Sequence, residues 1–304
     1  MKQISEALKQ NRIILGCMRL NSLDEKSVES LLKGAIDTGV TFFDHADIYG
    51  GGECETIFSR ALKMNSVLRE KIILQSKCGI RPEPGLYDFS YDHIIKSVDG
   101  ILDRLQTEYL DILLLHRPDA LVEPEEVARA FDRLHSAGKV RNFGVSNHNP
   151  AQIRLLQKYI PHKLWANQLQ LSITNATMIS SGINVNTENH LAVVRDGSIL
   201  DFCREHDITV QAWSPFQYGF FEGVFIDNEK FPELNKILQE ISEKHNVTKT
   251  TIATAWILRH PACMQVIAGT MKLSRLKEIY QACDISLSRE DWYEIYKAAG
   301  NILQ

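Results

Sequence analysis

Eight short apolar, β-prone runs, stretches of helical periodicity between them, and no GxGxxG after any run predict an α/β protein. The architecture expected is a (β/α)8 TIM barrel, with residues 1–304 forming a single domain. The runs are Ile13–Leu15, Thr41–Asp44, Ile72–Lys77, Leu110–His116, Asn142–Val145, Leu164–Gln168, Thr209–Trp213 and Gln265–Ala268. Strand–helix alternation calls for a parallel sheet, and eight strands favour closure over an open doubly wound sheet. The missing glycine fingerprint removes the usual sign of a Rossmann domain.

The helices follow in order. Val28, Leu31, Leu32, Ala35 and Ile36 keep the i, i+3, i+4 spacing of one apolar face. Ser22-x-x-Glu25 reads as their capping box and Gly39 as their stop. Ile94, Ile95, Val98, Ile101, Leu102 and Leu105 make a second stripe; Val127, Ala130, Phe131 and Leu134 make a third, ended by Gly138. Asn149-Pro150 supplies an N-cap and first-turn proline for a fourth. Leu234, Ile237, Leu238 and Ile241, then Leu276, Ile279 and Tyr280, continue the rhythm, and the short tail after Asp284 is helical in pattern. Residues 170–198 are irregular and rich in Asn, Ser and Thr, and read equally as a substrate wall or a surface insertion.

Composition narrows the class. With 44% hydrophobic and 24% charged residues the chain should fold as a globule, and its net charge of −4 offers no basic field for nucleic acid or anionic lipid. The N-terminus is too polar for a signal-peptide core, and no apolar stretch reaches the length of a membrane span. Six scattered cysteines without a CxxC pair read as reduced thiols, so a cytoplasmic address is expected, and outer helices without a distinctive apolar excess point to a monomer. Cys203-x-x-His206 is one pair without a second, and no metal site is expected.

Three runs end in a polar residue: Asp44, Lys77 and His116. Tyr49 lies five positions beyond Asp44, and Gly50-Gly51-Gly52 frees the backbone just behind it. In a parallel barrel all strand ends open on one face, so residues distant in sequence meet there. A tyrosine has a reference pKa near ~10. A lysine about 4 Å away would favour its phenolate by about 4 kcal/mol at an effective dielectric of ~20, or ~3 pKa units before desolvation opposes it. Such a tyrosine would serve as an acid near neutral pH, with Asp44 holding the lysine and His116 orienting a carbonyl oxygen or relaying a proton. The set suits protonation of a carbonyl oxygen as hydride reaches its carbon.

The chain resembles the aldo-keto reductase superfamily from about Ile13 to Glu278. The resemblance rests on FFDHADIYGGGE (42–53), ILQSKCG (73–79), DILLLHRPD (111–119), GKVRNFGVSNHNP (138–150), ANQLQ (166–170), AWSPFQYG (212–219) and IAGTMKLSRLKE (267–278). His45, where many members have Thr, resembles a bacterial branch with HADIYG. The resemblance implies a catalytic tetrad of Asp44, Tyr49, Lys77 and His116, with Tyr49 as general acid and NADPH (NADP+) as hydride carrier. It implies that Ser146, Asn147 and Gln168 hold the nicotinamide carboxamide and that Trp213 stacks on the ring. The loop from Ser214 through Phe216 to Gly219 would pass under the pyrophosphate. The segment with Gly269, Thr270, Lys272, Arg275 and Glu278 would grip the adenosine 2′-phosphate, favouring NADPH over NADH. Gly269 replaces a lysine that many members use there, with Lys272 close enough to substitute, and Ile279 stands where an asparagine often contacts adenine. The expected function is reduction of a small-molecule aldehyde or ketone to an alcohol. The alternatives are a nicotinamide-binding regulatory subunit resembling potassium-channel β-subunits, and a barrel acting on a phosphorylated substrate without nicotinamide.

Overall fold

Parallel pairing organises the chain. The computed structural model describes residues 11–303, so the polar reading of residues 1–10 lies outside the described residues. Eight strands form a closed barrel: β1 (Ile13–Gly16), β2 (Phe42–Asp44), β3 (Ile73–Cys78), β4 (Leu110–Leu115), β5 (Val140–Ser146), β6 (Leu164–Gln170), β7 (Thr209–Trp213) and β8 (Gln265–Ala268). Their order around the barrel is β1-β8-β7-β6-β5-β4-β3-β2. Parallel registers place Leu15 opposite Phe43, Asp44 opposite Gln75, Lys77 opposite Leu114, and Ser146 opposite Gln168. Every residue of β4 is buried, as expected of a strand covered on both faces.

Helices lie between the strands and after the last: α1 (Glu25–Thr38), α2 (Glu53–Leu62), α3 (Tyr91–Leu105), α4 (Pro124–Ser136), α5 (Pro150–Tyr159), α6 (Thr177–Ile183), α7 (Ile199–Glu205), α8 (Pro232–His245), α9 (Lys249–Leu258), α10 (Leu273–Gln281) and α11 (Arg289–Ala298). Asn149 caps α5 through a reciprocal box with Gln152. Gly39 ends α1 at φ +100°, a conformation that suits glycine. The expected box at Ser22 is corrected. Asp24 caps α1, its carboxylate accepting from the Ser27 N–H at 3.0 Å, because Ser22 belongs to a 3-10 turn and its hydroxyl donates to Arg19 O. Residues 170–198 are also more ordered than their composition predicts. They contain α6, whose Met178 and Ile179 are buried, and Asn184 donates to Ser180 O and Ile302 O.

Contact density groups the described chain into two compact units. One holds Ile14–Gln168 with Gly269–Leu273; the other holds the residues up to Ile13, Leu169–Ala268 and those from Ser274 onward. Each is described by itself. In the first, β5 passes close to its neighbours: a Cβ on Gly144 would sit 2.6 Å from Leu114 Cδ2 and 2.7 Å from the Ala166 carbonyl oxygen. Backbone cannot retreat as a side chain can. Gly144→Ala is therefore expected to destabilise the protein by about 1–3 kcal/mol, seen as a lowered denaturation midpoint. A midpoint equal to the wild type would show that the sheet yields freely.

Candidate active site

The first unit brings the predicted residues together. Asp44 ends β2, and Lys77 is the last residue but one of β3. His116 falls just past the end of β4 rather than within it, yet its N–H still bonds Cys78 O at 2.9 Å and keeps the ladder direction. The link from Asp44 to Tyr49 is tied to β3, with His45 N–H on Gln75 O and Asp47 N–H on Lys77 O. Gly50, Gly51 and Gly52 then turn the chain at φ +59°, +66° and +95°. A Cβ on Gly50 or Gly52 would also come within 2.8 Å of Asn21 or Arg104.

Lys77 is the hub. Its Nζ donates to Asp44 Oδ1 at 2.8 Å and Oδ2 at 2.7 Å, to His45 O at 2.8 Å, and to the Tyr49 hydroxyl at 3.1 Å. Asp44 Oδ1 also accepts from Gln75 Nε2 at 2.7 Å and Gln168 Nε2 at 3.0 Å. Asp44 and Lys77 are 1% and 0% exposed, so their charges face each other and not water. Burial acts to lower the Lys77 pKa, but the Asp44 charge and Tyr49 outweigh it and raise the value, holding the ammonium protonated. His116 packs edge-on to Tyr49 with ring centroids 6.1 Å apart. Burial, then Lys77 and Arg117, push its pKa well below the usual histidine value, so the imidazole is neutral. Its Nδ1 is buried with no hydrogen-bond partner.

The expected lowering of the Tyr49 pKa is overturned. Burial raises it, the Lys77 charge opposes that, and the Asp44 charge adds to the rise, leaving Tyr49 above its ordinary value. The physical reason is first burial, which disfavours the charged phenolate, and then Asp44, whose charge offsets part of the lysine's. Tyr49 therefore stands as a protonated donor at neutral pH.

Behind β3, where strand alternation turns side chains away from Lys77, lies an acidic pair that sequence reasoning missed. Ser76 donates to Glu55 Oε1 at 2.7 Å and Arg104 to Glu55 Oε2 at 2.8 Å. Asp47 has an unpartnered buried Oδ1, and burial, then the Glu55 charge, push its carboxyl up to about 7. The folded protein thus holds this proton far above the ordinary 3.8, so the contribution to stability is full in acid and declines as pH rises through about 7. Asp47→Asn should gain on the wild type in melting temperature between pH 4 and pH 8. Parallel melting profiles would rule Asp47 out as the titrating group.

The candidate cofactor residues divide between the units. In the first, Asn147 Nδ2 donates to Ser146 Oγ at 2.8 Å, and Ser146 Oγ donates to Gln168 O at 3.0 Å. The Gln168 side chain, expected on a carboxamide, places its Nε2 on Asp44. Gly269, Thr270 and Lys272 lead from β8 to α10, with Lys272 N–H on Thr270 Oγ1. A Cβ at Gly269 would stand 3.0 Å from the Arg19 guanidinium, which makes no hydrogen bond or ion pair among the described residues. Arg19 was not anticipated; 250 residues separate it from Gly269, and only strand closure makes them neighbours. In the second unit the half-exposed Trp213 meets Phe221 at 6.0 Å and Phe220 at 6.3 Å. Ser214 donates to Gln217 Oε1, Phe216 O accepts from Phe225 N–H, and Gly219 O accepts from Gln170. Arg275 is exposed, whereas Glu278 accepts from Thr248 Oγ1 at 3.1 Å. Among the described residues no helix is long and apolar enough to cross a membrane, and no three His, Cys, Asp or Glu gather as metal ligands.

The model of the aldo/keto reductase family matches residues 12–299. The uncharacterized oxidoreductase YcsN of Bacillus subtilis is 39% identical over 308 residues, spanning 97% of this chain and 96% of that protein. A 6-dehydroglucose reductase of Agrobacterium fabrum is 32% identical over 308 residues, with 97% and 96% covered. Among solved structures, a thermostable aldo-keto reductase in complex with the inhibitor epalrestat has a TM-score of 0.73 at 26% identity, over 94% of each chain.

Proposed function

The chain belongs to the aldo/keto reductase family and is a carbonyl-reducing oxidoreductase, and from that premise we propose that it uses NADPH, with Tyr49 as the proton donor. The observation that supports this most is the Tyr49–Lys77–Asp44 chain: a protonated phenol 3.1 Å from a buried ammonium that is itself held by a carboxylate. When bound, the reduced nicotinamide supplies hydride to the carbonyl carbon. Tyr49 gives its proton to the carbonyl oxygen, and Lys77 stabilises the phenolate left behind. The neutral, unpartnered His116 Nδ1 can orient that oxygen if its tautomer carries the hydrogen there.

The residues present suit a nicotinamide dinucleotide phosphate. Trp213 offers a partly exposed aromatic face, and Arg19 and Lys272 are exposed cations in the unit that carries Thr270. Loops after the last barrel strands are a common place for phosphate in this architecture. Arg19 occupies the space that a side chain at Gly269 would need, and supplies a guanidinium where the family often has a lysine. Arg19→Gln and Arg275→Ala should each weaken NADPH binding about ten-fold or more, measured by quenching of NADPH fluorescence, and NADH binding much less. Equal losses for the two cofactors would assign these cations elsewhere than the 2′-phosphate. The relatives named 6-dehydroglucose reductase point to a sugar aldehyde as the first substrate to assay, by the decay of NADPH absorbance. NADPH binding without turnover over a range of aldehydes and ketones would favour a regulatory role.

A further inference from the structure

A cleft of about 430 Å3 in the second unit shares no lining residue with those assigned above. Its walls come from α6, α7, the segment after α9 and the start of α11. Arg204 precedes β7, and His260 precedes β8, so these residues stand at the amino ends of strands whose carboxyl ends carry Trp213 and Gly269. Met178, Ile183, Leu200, Pro261, Trp292 and Tyr293 give the cleft an apolar and aromatic lining. The aromatic floor is fixed. Trp292 stacks on Trp256 at 4.9 Å and 7°, and each indole N–H donates to the other residue's carbonyl oxygen.

The cleft is strongly cationic in a chain whose net charge is −4. Arg204, Arg259 and Arg289 line it against one acid, Asp201, which stands 3.5 Å from Arg204. Arg259 donates through Nε to Leu287 O, and among the described residues its other two guanidinium nitrogens make no hydrogen bond. The Arg289 side chain lines the cleft and makes no hydrogen bond or ion pair among the described residues. His260 accepts the Ala262 N–H at Nδ1, so its neutral ring carries hydrogen on Nε2 as a further donor. Burial, then Arg204, hold its pKa at about 4, which keeps it neutral.

We propose that this cleft is a second binding site, taking a small organic anion with a flat apolar body: an aromatic carboxylate whose ring lies on the Trp292 and Tyr293 side and whose carboxylate meets Arg259 and Arg289. The volume falls within the range of small-molecule sites, and apolar walls with a few convergent polar groups are their usual composition. Guanidinium pairs carboxylate through two parallel N–H donors, and two arginines with unpaired nitrogens provide that fork without breaking a contact. This site does not depend on the proposed catalytic reading.

The test is calorimetric titration of the full chain with 1-naphthoate, alongside its neutral counterpart 1-naphthalenemethanol. Saturable naphthoate binding, weakened roughly ten-fold or more by Arg289→Gln and by Arg259→Gln, is expected. The neutral alcohol should bind at least as poorly as naphthoate does to the variants, and Trp213→Leu should leave naphthoate binding unchanged. The Arg289 side chain is exposed and has no hydrogen bond or ion pair among the described residues to lose, so its variant should fold as the wild type does. No saturable binding, equal affinity for the alcohol, or a loss with Trp213→Leu but not with Arg289→Gln would each overturn the proposal.

Discussion

Tyr49→Phe is expected to lower the turnover of carbonyl reduction roughly 100- to 10,000-fold, the range for loss of a general acid. The substitution keeps the ring beside His116 and removes only the hydroxyl on Lys77. NADPH quenching should therefore be preserved while absorbance decay collapses. The pH profile adds a second check. Burial and Asp44 raise the Tyr49 pKa in spite of Lys77, so its proton is present throughout the neutral range. Wild-type turnover should show no fall between pH 6 and pH 8 attributable to Tyr49. A variant within about ten-fold of the wild type at saturating substrate would remove Tyr49 from the proton-donor role, as the magnitude expected of a general acid would be missing.

The sequence carried the fold through a repeated grammar: β4 reads LDILLL because a barrel strand is covered on both faces, and Asp44, Lys77 and His116, at or just past the ends of three runs, mark the open end. Alternation also held information that a residue-by-residue reading passes over. In β3, Gln75 and Lys77 share one face and reach Asp44, whereas Ser76 turns to Glu55. The sign of the Tyr49 shift was not legible in the same way. A Tyr–Lys pair considered alone predicts a lowered pKa, and the answer reverses once Asp44 stands 2.7 Å from the same Nζ and water is excluded. Arg19 was hidden for a different reason, since its neighbour Gly269 has no side chain to advertise the space. The cap of α1 shifted from Ser22 to Asp24 because two plausible capping residues stood two positions apart, and a 3-10 turn had already claimed the first.

The largest stability effect should come from breaking the ion pair beneath Tyr49 on one side only. Asp44→Leu leaves the Lys77 ammonium fully buried without its carboxylate and leaves Gln75 and Gln168 without the acceptor they share. Removal of one partner of a buried pair costs about 3–5 kcal/mol, because the remaining charge cannot recover its hydration. In the wild type the Lys77 pKa is raised above 10.5, so its contribution is present below that pH and lost as pH rises through the folded value. In Asp44→Leu burial acts unopposed by that carboxylate and the folded pKa falls below the unfolded one. The sign then reverses, and the stability of the variant should rise with pH until Lys77 is neutral in both states. Asp44→Leu with Lys77→Met removes both charges and should regain most of the loss, since a buried pair exchanged for apolar groups is often close to neutral. Denaturant midpoints for the wild type, Asp44→Leu, Lys77→Met and the double variant at pH 6 and pH 9 would measure the coupling. A double variant no more stable than Asp44→Leu would locate the cost in the hydrogen bonds that Gln75 and Gln168 make to Asp44, and the Lys77 charge would then not be the main element of this ion pair's contribution.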